Sequence, residues 1–148
     1  MSSYTQLLYH IVFATKDRRL AITQNEERRL YTYIWDLLKV KECHVYRIGG
    51  IEDHIHILTS IHQSLALSDL IRDVKANSSR FIRENNLFPK FEGWQAGYGA
   101  FTCSYKQLDI LINYIKNQKE HHKKMSSKEE LRNILKEHNI EYDEQYFQ

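Results

Sequence analysis

Asp53-His54-Ile55-His56-Ile57, continued by Leu58 and Ile61, is the stretch on which the fold turns. Isoleucines at alternate positions mark a β-strand over residues 53–61. Alternation sends Ile55 and Ile57 to one face and His54 and His56 to the other. Imidazoles at that spacing have Cα atoms ~6.5–7 Å apart and can converge on one metal ion. His-x-His also arises on strands by chance, so its weight depends on what the rest of the chain supplies.

Upstream, Cys43–Ile48 alternates weakly and reads as a strand, with Gly49-Gly50 as the turn that folds it onto 53–61 as an antiparallel hairpin. Further back, Leu30, Ile34, Leu37 and Leu38 give a helical stripe over residues 24–41. Leu7–Thr15 is a short apolar run rich in β-formers, a buried strand that ends in a basic turn, Lys16-Asp17-Arg18-Arg19. Downstream, Leu67, Leu70, Ile71, Val74, Ser78, Phe81 and Ile82 line one face of a helix over 65–85. An aromatic-glycine segment, Phe91–Ala100, leads into a strand at 100–104. A helix over 107–124 follows, with Leu108, Leu111, Ile112 and Ile115 on its apolar face. A last helix, capped by Ser126 or Ser127 with Glu129-Glu130 in its first turn, fades near His138-Asn139. The tail, 141–148, is polar and aromatic. The order β-α-β-β-α-β, then helices, predicts an α+β fold of the ferredoxin-like, split βαβ kind. It has an antiparallel sheet, two helices on one face and additional C-terminal helices. Residues 1–148 read as one domain, with 126–148 as a C-terminal helical tail.

The 148 residues are near the usual size of one domain, and 42% of them are hydrophobic, which fits a packed chain rather than a disordered one. A net charge of +2 does not by itself call for a nucleic-acid partner. Two cysteines, Cys43 and Cys103, stand too far apart for a CxxC motif, so neither a zinc knuckle nor a disulfide framework is expected, and a cytoplasmic setting is. The N-terminus lacks the basic and apolar regions of a signal peptide. No apolar run approaches the ~20 residues that a membrane span needs, so no membrane partner is expected.

On the helix over 107–124, Tyr114, Gln118 and His121 recur at helical spacing and form a polar stripe beside the apolar face. Such a stripe is usually plain surface. Set against His54 and His56, it acquires chemistry. Two neutral imidazoles leave a divalent cation short of donors, and an amide oxygen is a third. The incomplete shell leaves room for a phosphate oxygen, which the cation would polarise. A tyrosine one turn away would stand beside that phosphate, although its phenol needs help to lose a proton that ordinarily leaves at a pKa of ~10.

At this point the chain resembles the single-tyrosine HUH transposases of insertion sequences that move as single-stranded DNA, with the REP-associated tyrosine transposases as relatives. His54-Ile55-His56, preceded by Asp53, is similar to the HUH motif. Tyr9–Phe13, Leu70–Phe81 with Lys75 and Asn77-Ser78-Ser79-Arg80, Trp94–Phe101, Tyr114–Gln118 with His121-His122, and Leu135–Tyr142 resemble the other segments of the family. The resemblance implies that Tyr114 attacks a phosphodiester of single-stranded DNA, leaving a 5′-phosphotyrosine and a free 3′-OH. Another 3′-OH then reverses the attack and rejoins strands without ATP. It implies that His54, His56 and Gln118 hold Mg²⁺ or Mn²⁺, that hairpins at element ends are recognised, and that the enzyme is a homodimer in which Tyr114 can serve the partner's site.

The basic residues form three groups: Lys16, Arg18 and Arg19; Arg72, Lys75, Arg80 and Arg83; and Lys116, Lys119, Lys123 and Lys124. Each alone reads as solvated surface. As a set they suit a DNA backbone track, with Lys16, Arg18, Arg19, Arg72, Lys75, Arg80 and Lys116 as its main contacts. His121 and His122 read as either DNA contacts or helix-end residues. Tyr98 and Trp94 are candidates for base stacking, and Trp94 equally for the core. His10, His44, His62 and His138 carry no assigned role. Two rival readings remain: a non-catalytic nucleic-acid-binding protein of the same fold, and a domesticated relative that processes repeated palindromes.

Overall fold

The computed structural model describes residues 2–144; the last four residues of the predicted tail lie outside them. Leu8–Ala14 forms β1, Glu27–Val40 α1, Val45–Ile51 β2, His54–Ser60 β3, Leu67–Glu84 α2, Gly99–Thr102 β4 and Leu108–Lys116 α3. A single turn, Gln118–His121, is α4, and Ser127–Glu137 is α5. The sheet runs β2-β3-β1-β4, antiparallel throughout. This is the order expected of a split βαβ fold with C-terminal helices added.

The alternation of β3 divides the molecule into two layers. Ile55 and Ile57 join Ile11 and Phe13 of β1 under Leu30, Ile34 and Leu38 of α1 and Leu70, Ile71, Val74 and Ile82 of α2. On the other face, Leu58 and Leu8 pack with Leu108 and Ile115 of α3. Buried on both faces, β3 carries its histidines in an interior layer rather than on a wet surface. Register sets Val12 of β1 opposite His56 and Ala14 opposite His54, which puts His10, Val12, His54 and His56 on one face.

Two expectations are corrected. Gly49-Gly50 is not the hairpin turn: both lie inside β2, and the chain reverses at Glu52-Asp53. The glycines serve close approach. A Cβ on Gly49 would stand 2.9 Å from both Cγ2 and the carbonyl oxygen of Ile115, and one on Gly50 would run into the His54 carbonyl. The expected helix over 107–124 is interrupted at Asn117, which leaves helical geometry at φ −98° and ψ 19°. Asn is a weak helix former, and the break separates α3 from the turn that turns Gln118 inward. The last helix ends at Glu137, close to the expected limit, and its Glu130 and Ile134 are buried.

Candidate active site

The strand half of the site is held from behind. His54 Nδ1–H donates to Asp53 Oδ1 at 2.7 Å, and both Asp53 oxygens accept from the Ser127 hydroxyl at 2.9 Å. His56 Nδ1 meets Nε2 of His10, diagonal to it across the sheet, at 2.7 Å, with the rings stacked at 5.0 Å. Burial, then the neighbouring His56, lowers the His10 pKa to about 3, so His10 is a neutral imidazole able to accept. With Nδ1 engaged on each ring, the Nε2 atoms of His54 and His56 turn into the site, 3.1 Å apart.

The helical half closes over them. Gln118, 1% exposed, aims Oε1 at His54 Nε2 (3.2 Å) and at His122 Nε2 (2.9 Å). His122 donates Nδ1–H to the Met125 carbonyl at 2.8 Å. At the centre stands Glu130 of α5, 3% exposed. Its Oε1 lies 3.2 Å from the Nε2 atoms of His54, His56 and His122. Its Oε2 accepts from Gln118 Nε2 at 2.8 Å and from the Tyr114 hydroxyl. His121 Nε2 stands 3.4 Å from that oxygen without completing a hydrogen bond. The Tyr114 ring packs edge-on to His56, centroids 5.8 Å apart, so within one chain the tyrosine already lies over the histidine pair.

The charges follow from these contacts. Burial works against ionisation of Glu130, but the hydrogen bonds from His122, His54 and His56 outweigh it and hold the carboxyl far below the usual carboxylate range. Burial likewise opposes the charge on His54, yet the Asp53 and Glu130 carboxylates raise its pKa to about 9. Burial lowers the pKa of His56. Burial and then the charge of Glu130 push the Tyr114 phenol well up. The tyrosine is therefore a protonated donor, held but not yet activated. His54, His122 and Glu130 present ligand atoms within 4.8 Å of one another, a donor set that fits a metal ion.

Two clefts share Glu130. One, of about 330 Å³, is lined by Phe13, Arg18, Tyr98, Gly99, His54 and Glu130. The other, of about 310 Å³, is lined by His10, Tyr114, His121, Glu130 and His138. Of the expected DNA contacts, Arg18 lines the first cleft. Lys75 reaches its rim, donating to the carbonyls of Gln95 (2.9 Å) and Gly97 and lying 5.9 Å from the Tyr98 ring centre. Lys16 is exposed, while Arg19 pairs with Glu92 at 3.3 Å. Lys116 is exposed at the end of α3. Arg72 pairs with Asp69 at 3.2 Å and Arg80 with Asn77. Both belong to α2, across the sheet from the imidazoles. Trp94 packs against Phe13 and Phe91 and donates to Ser78 Oγ at 3.0 Å, a core role. Glu130, His10 and Ser127 were not expected in the site. The sequence marks Glu130 only as an acid in a helix's first turn, and His10 gains meaning only from the β1–β3 register.

A ferredoxin-like sheet whose central strand carries paired histidines under a tyrosine-bearing helix defines the class of the tyrosine transposases. Residues 3–118 match the family Transposase IS200 like, and the chain belongs to that family. It is 32% identical over 120 residues to the transposase for insertion sequence element IS200 of Salmonella typhimurium strain LT2, covering 78% of each chain. Its fold is similar to that of a candidate transposase from Deinococcus radiodurans R1, with TM-score 0.63 and 21% identity over 80% of this chain and 95% of the other. It is also similar to the REP-associated tyrosine transposase solved with a REP hairpin, with TM-score 0.60 and 16% identity over 82% and 74% of the two chains. Among the described residues no helix is long and apolar enough to cross a membrane.

Proposed function

We propose that this transposase cuts and rejoins single-stranded DNA through a 5′-phosphotyrosine on Tyr114, with a divalent cation, Mg²⁺ or Mn²⁺, at His54, His56 and Gln118. The observation that carries the reading is the convergence of the Tyr114 hydroxyl, the two Nε2 atoms and Gln118 on one buried carboxylate. When bound, the cation would polarise the scissile phosphate. In the reaction, the bond from Tyr114 Oη to phosphorus forms and the bond from phosphorus to the 3′-oxygen breaks. The phenolic proton is lost to solvent, Glu130 orienting the phenol through its hydrogen bond rather than taking the proton, and the departing strand takes up a proton as a 3′-OH. Attack by another 3′-OH reverses these steps and reseals DNA.

The substrate in this reading is a strand bearing a hairpin, in line with the REP hairpin bound by the REP-associated neighbour. Arg18 and the Tyr98 ring, at the cleft beside His54, and the exposed Lys16 would meet backbone and unpaired bases. The reading includes a homodimer, with the Asn117 break as the pivot if Tyr114 serves a partner. The test is incubation with hairpin-bearing oligonucleotides and Mg²⁺ or Mn²⁺, followed by denaturing electrophoresis. Wild-type protein should form a covalent adduct and Tyr114→Phe none, with hairpin binding retained. An adduct that persists in the variant refutes the assignment.

A further inference from the structure

Four donor atoms from distant parts of the chain meet in one small volume. His54 Nε2 lies 3.1 Å from His56 Nε2 and 3.2 Å from Glu130 Oε1, and that oxygen lies 3.2 Å from each of His56 Nε2 and His122 Nε2. Ligands on a tetrahedral cation with bonds of ~2.0–2.1 Å stand ~3.3–3.4 Å apart, close to these four separations, and the ligand atoms of His54, His122 and Glu130 all lie within 4.8 Å of one another.

The outer edges of the rings support the same conclusion. His54 Nδ1–H is given to Asp53, His122 Nδ1–H to the Met125 carbonyl, and His56 Nδ1 faces the neutral His10. Such partners fix the tautomer that leaves Nε2 as a lone pair. Three Nε2 atoms then converge on one carboxylate oxygen, where protons fill the contacts in the metal-free site and a cation can take their place. Two of the four donors, His122 and Glu130, lie beyond residues 3–118, the part that matches the family.

We propose that His122 and Glu130 are ligands of the cation together with His54 and His56, in a three-imidazole, one-carboxylate centre that prefers a transition metal to Mg²⁺. The proposal rests on the reading that the paired histidines hold a cation. Imidazole suits Zn²⁺ and Co²⁺, whereas Mg²⁺ demands oxygen ligands in a near-octahedral shell. Glu130 supplies the one negative charge that two histidines and an amide lack. Gln118 Oε1, within 3.2 Å of His54 Nε2, flanks the centre.

The test uses the full chain stripped with a chelator and titrated, without DNA, with Zn²⁺, Co²⁺, Mn²⁺ and Mg²⁺ by calorimetry and, for Co²⁺, by visible absorption. The expected affinity order is Zn²⁺ above Co²⁺ above Mn²⁺, with Mg²⁺ weakest. Glu130→Gln and His122→Asn should each weaken Co²⁺ binding by more than the ~10–100-fold that loss of an outer-shell partner costs, and should change the Co²⁺ spectrum. Equal or tighter binding by Glu130→Gln would overturn the proposal, since Glu130 would then be a counter-ion standing where the metal goes. Mg²⁺ bound as tightly as Co²⁺ would overturn it too. If Glu130→Gln does not fold, as judged by circular dichroism, His122→Asn decides. Because no DNA is present, the two readings fail separately. Co²⁺ binding that depends on Glu130 without any adduct keeps this centre and removes the strand-transfer reading. Adducts with Co²⁺ binding indifferent to Glu130 and His122 do the reverse.

Discussion

Gly49→Ala tests whether the closeness of β2 and α3 sets the position of the nucleophile. The added Cβ would stand 2.9 Å from both Ile115 Cγ2 and the Ile115 carbonyl oxygen. Comfortable contacts are ~3.5–4.0 Å, so α3 must retreat by roughly half an ångström or more. Overpacking of this kind costs ~1–3 kcal/mol. At ~2–4 °C per kcal/mol for a chain of this size, the melting temperature should fall by ~2–12 °C. Tyr114 is the residue before Ile115 and moves with it. If a 1 Å misplacement costs ~100-fold in rate, half of that costs ~10-fold, which adduct formation on a hairpin oligonucleotide would read. Ile115→Ala removes the Cγ2 clash but leaves the carbonyl one. The double variant should therefore be less destabilised than the sum of the singles, and a thermal-denaturation cycle measures the difference. A Gly49→Ala protein with unchanged melting temperature and adduct rate would refute the argument that this glycine exists for approach.

Two further outcomes test the surroundings of the site. His10→Ala removes the partner of His56 Nδ1 and should lower cation affinity by ~10–100-fold by calorimetry, with no loss expected if the ring only fills space. Burial raises the thiol pKa of both Cys43 and Cys103, so less thiolate is present at pH 8 than on a free cysteine. Alkylation of the native protein should then be slower than that of glutathione at pH 8 and should accelerate only as the pH climbs past the ordinary thiol range of ~8.5, which a mass-spectrometric time course would follow.

What the sequence made legible was local. The period of two in β3 assigns His54 and His56 to one face whatever surrounds them, and the helical stripes of α1 and α2 fix which face they cover. What it hid was close approach and distant contact. Gly49-Gly50 carries a turn signal because nothing nearby announces the Ile115 backbone, 66 positions beyond Gly49, that needs that residue's missing side chain. The stripe from Tyr114 to His121 presupposes one unbroken helix, whereas the chain brings Tyr114 and Gln118 together through a break at Asn117. Glu130 was hidden by a sufficient local explanation: Ser126 caps the helix by accepting from the Glu129 amide, and acids in the first turn suit the helix dipole. Its contact with His56 spans 74 positions and has no local signature.

The charges of the assembled site explain why these distant parts belong together. Asp53 and Glu130 are both ionised, each held below the ordinary carboxylate range against the cost of burial. Even with His54 protonated, the two carboxylates leave the cluster with one excess negative charge. A phosphodiester brings another. At ~5 Å and an effective dielectric constant of ~20, that repulsion is ~3 kcal/mol, enough to weaken binding ~100-fold. A divalent cation in place of the His54 proton makes the cluster neutral and removes the penalty. Glu130 therefore cannot be understood as an incidental acid beside a DNA site. It is unfavourable to the substrate unless it is paired with a cation, and its position between the three Nε2 atoms and the Tyr114 hydroxyl couples that pairing to the nucleophile.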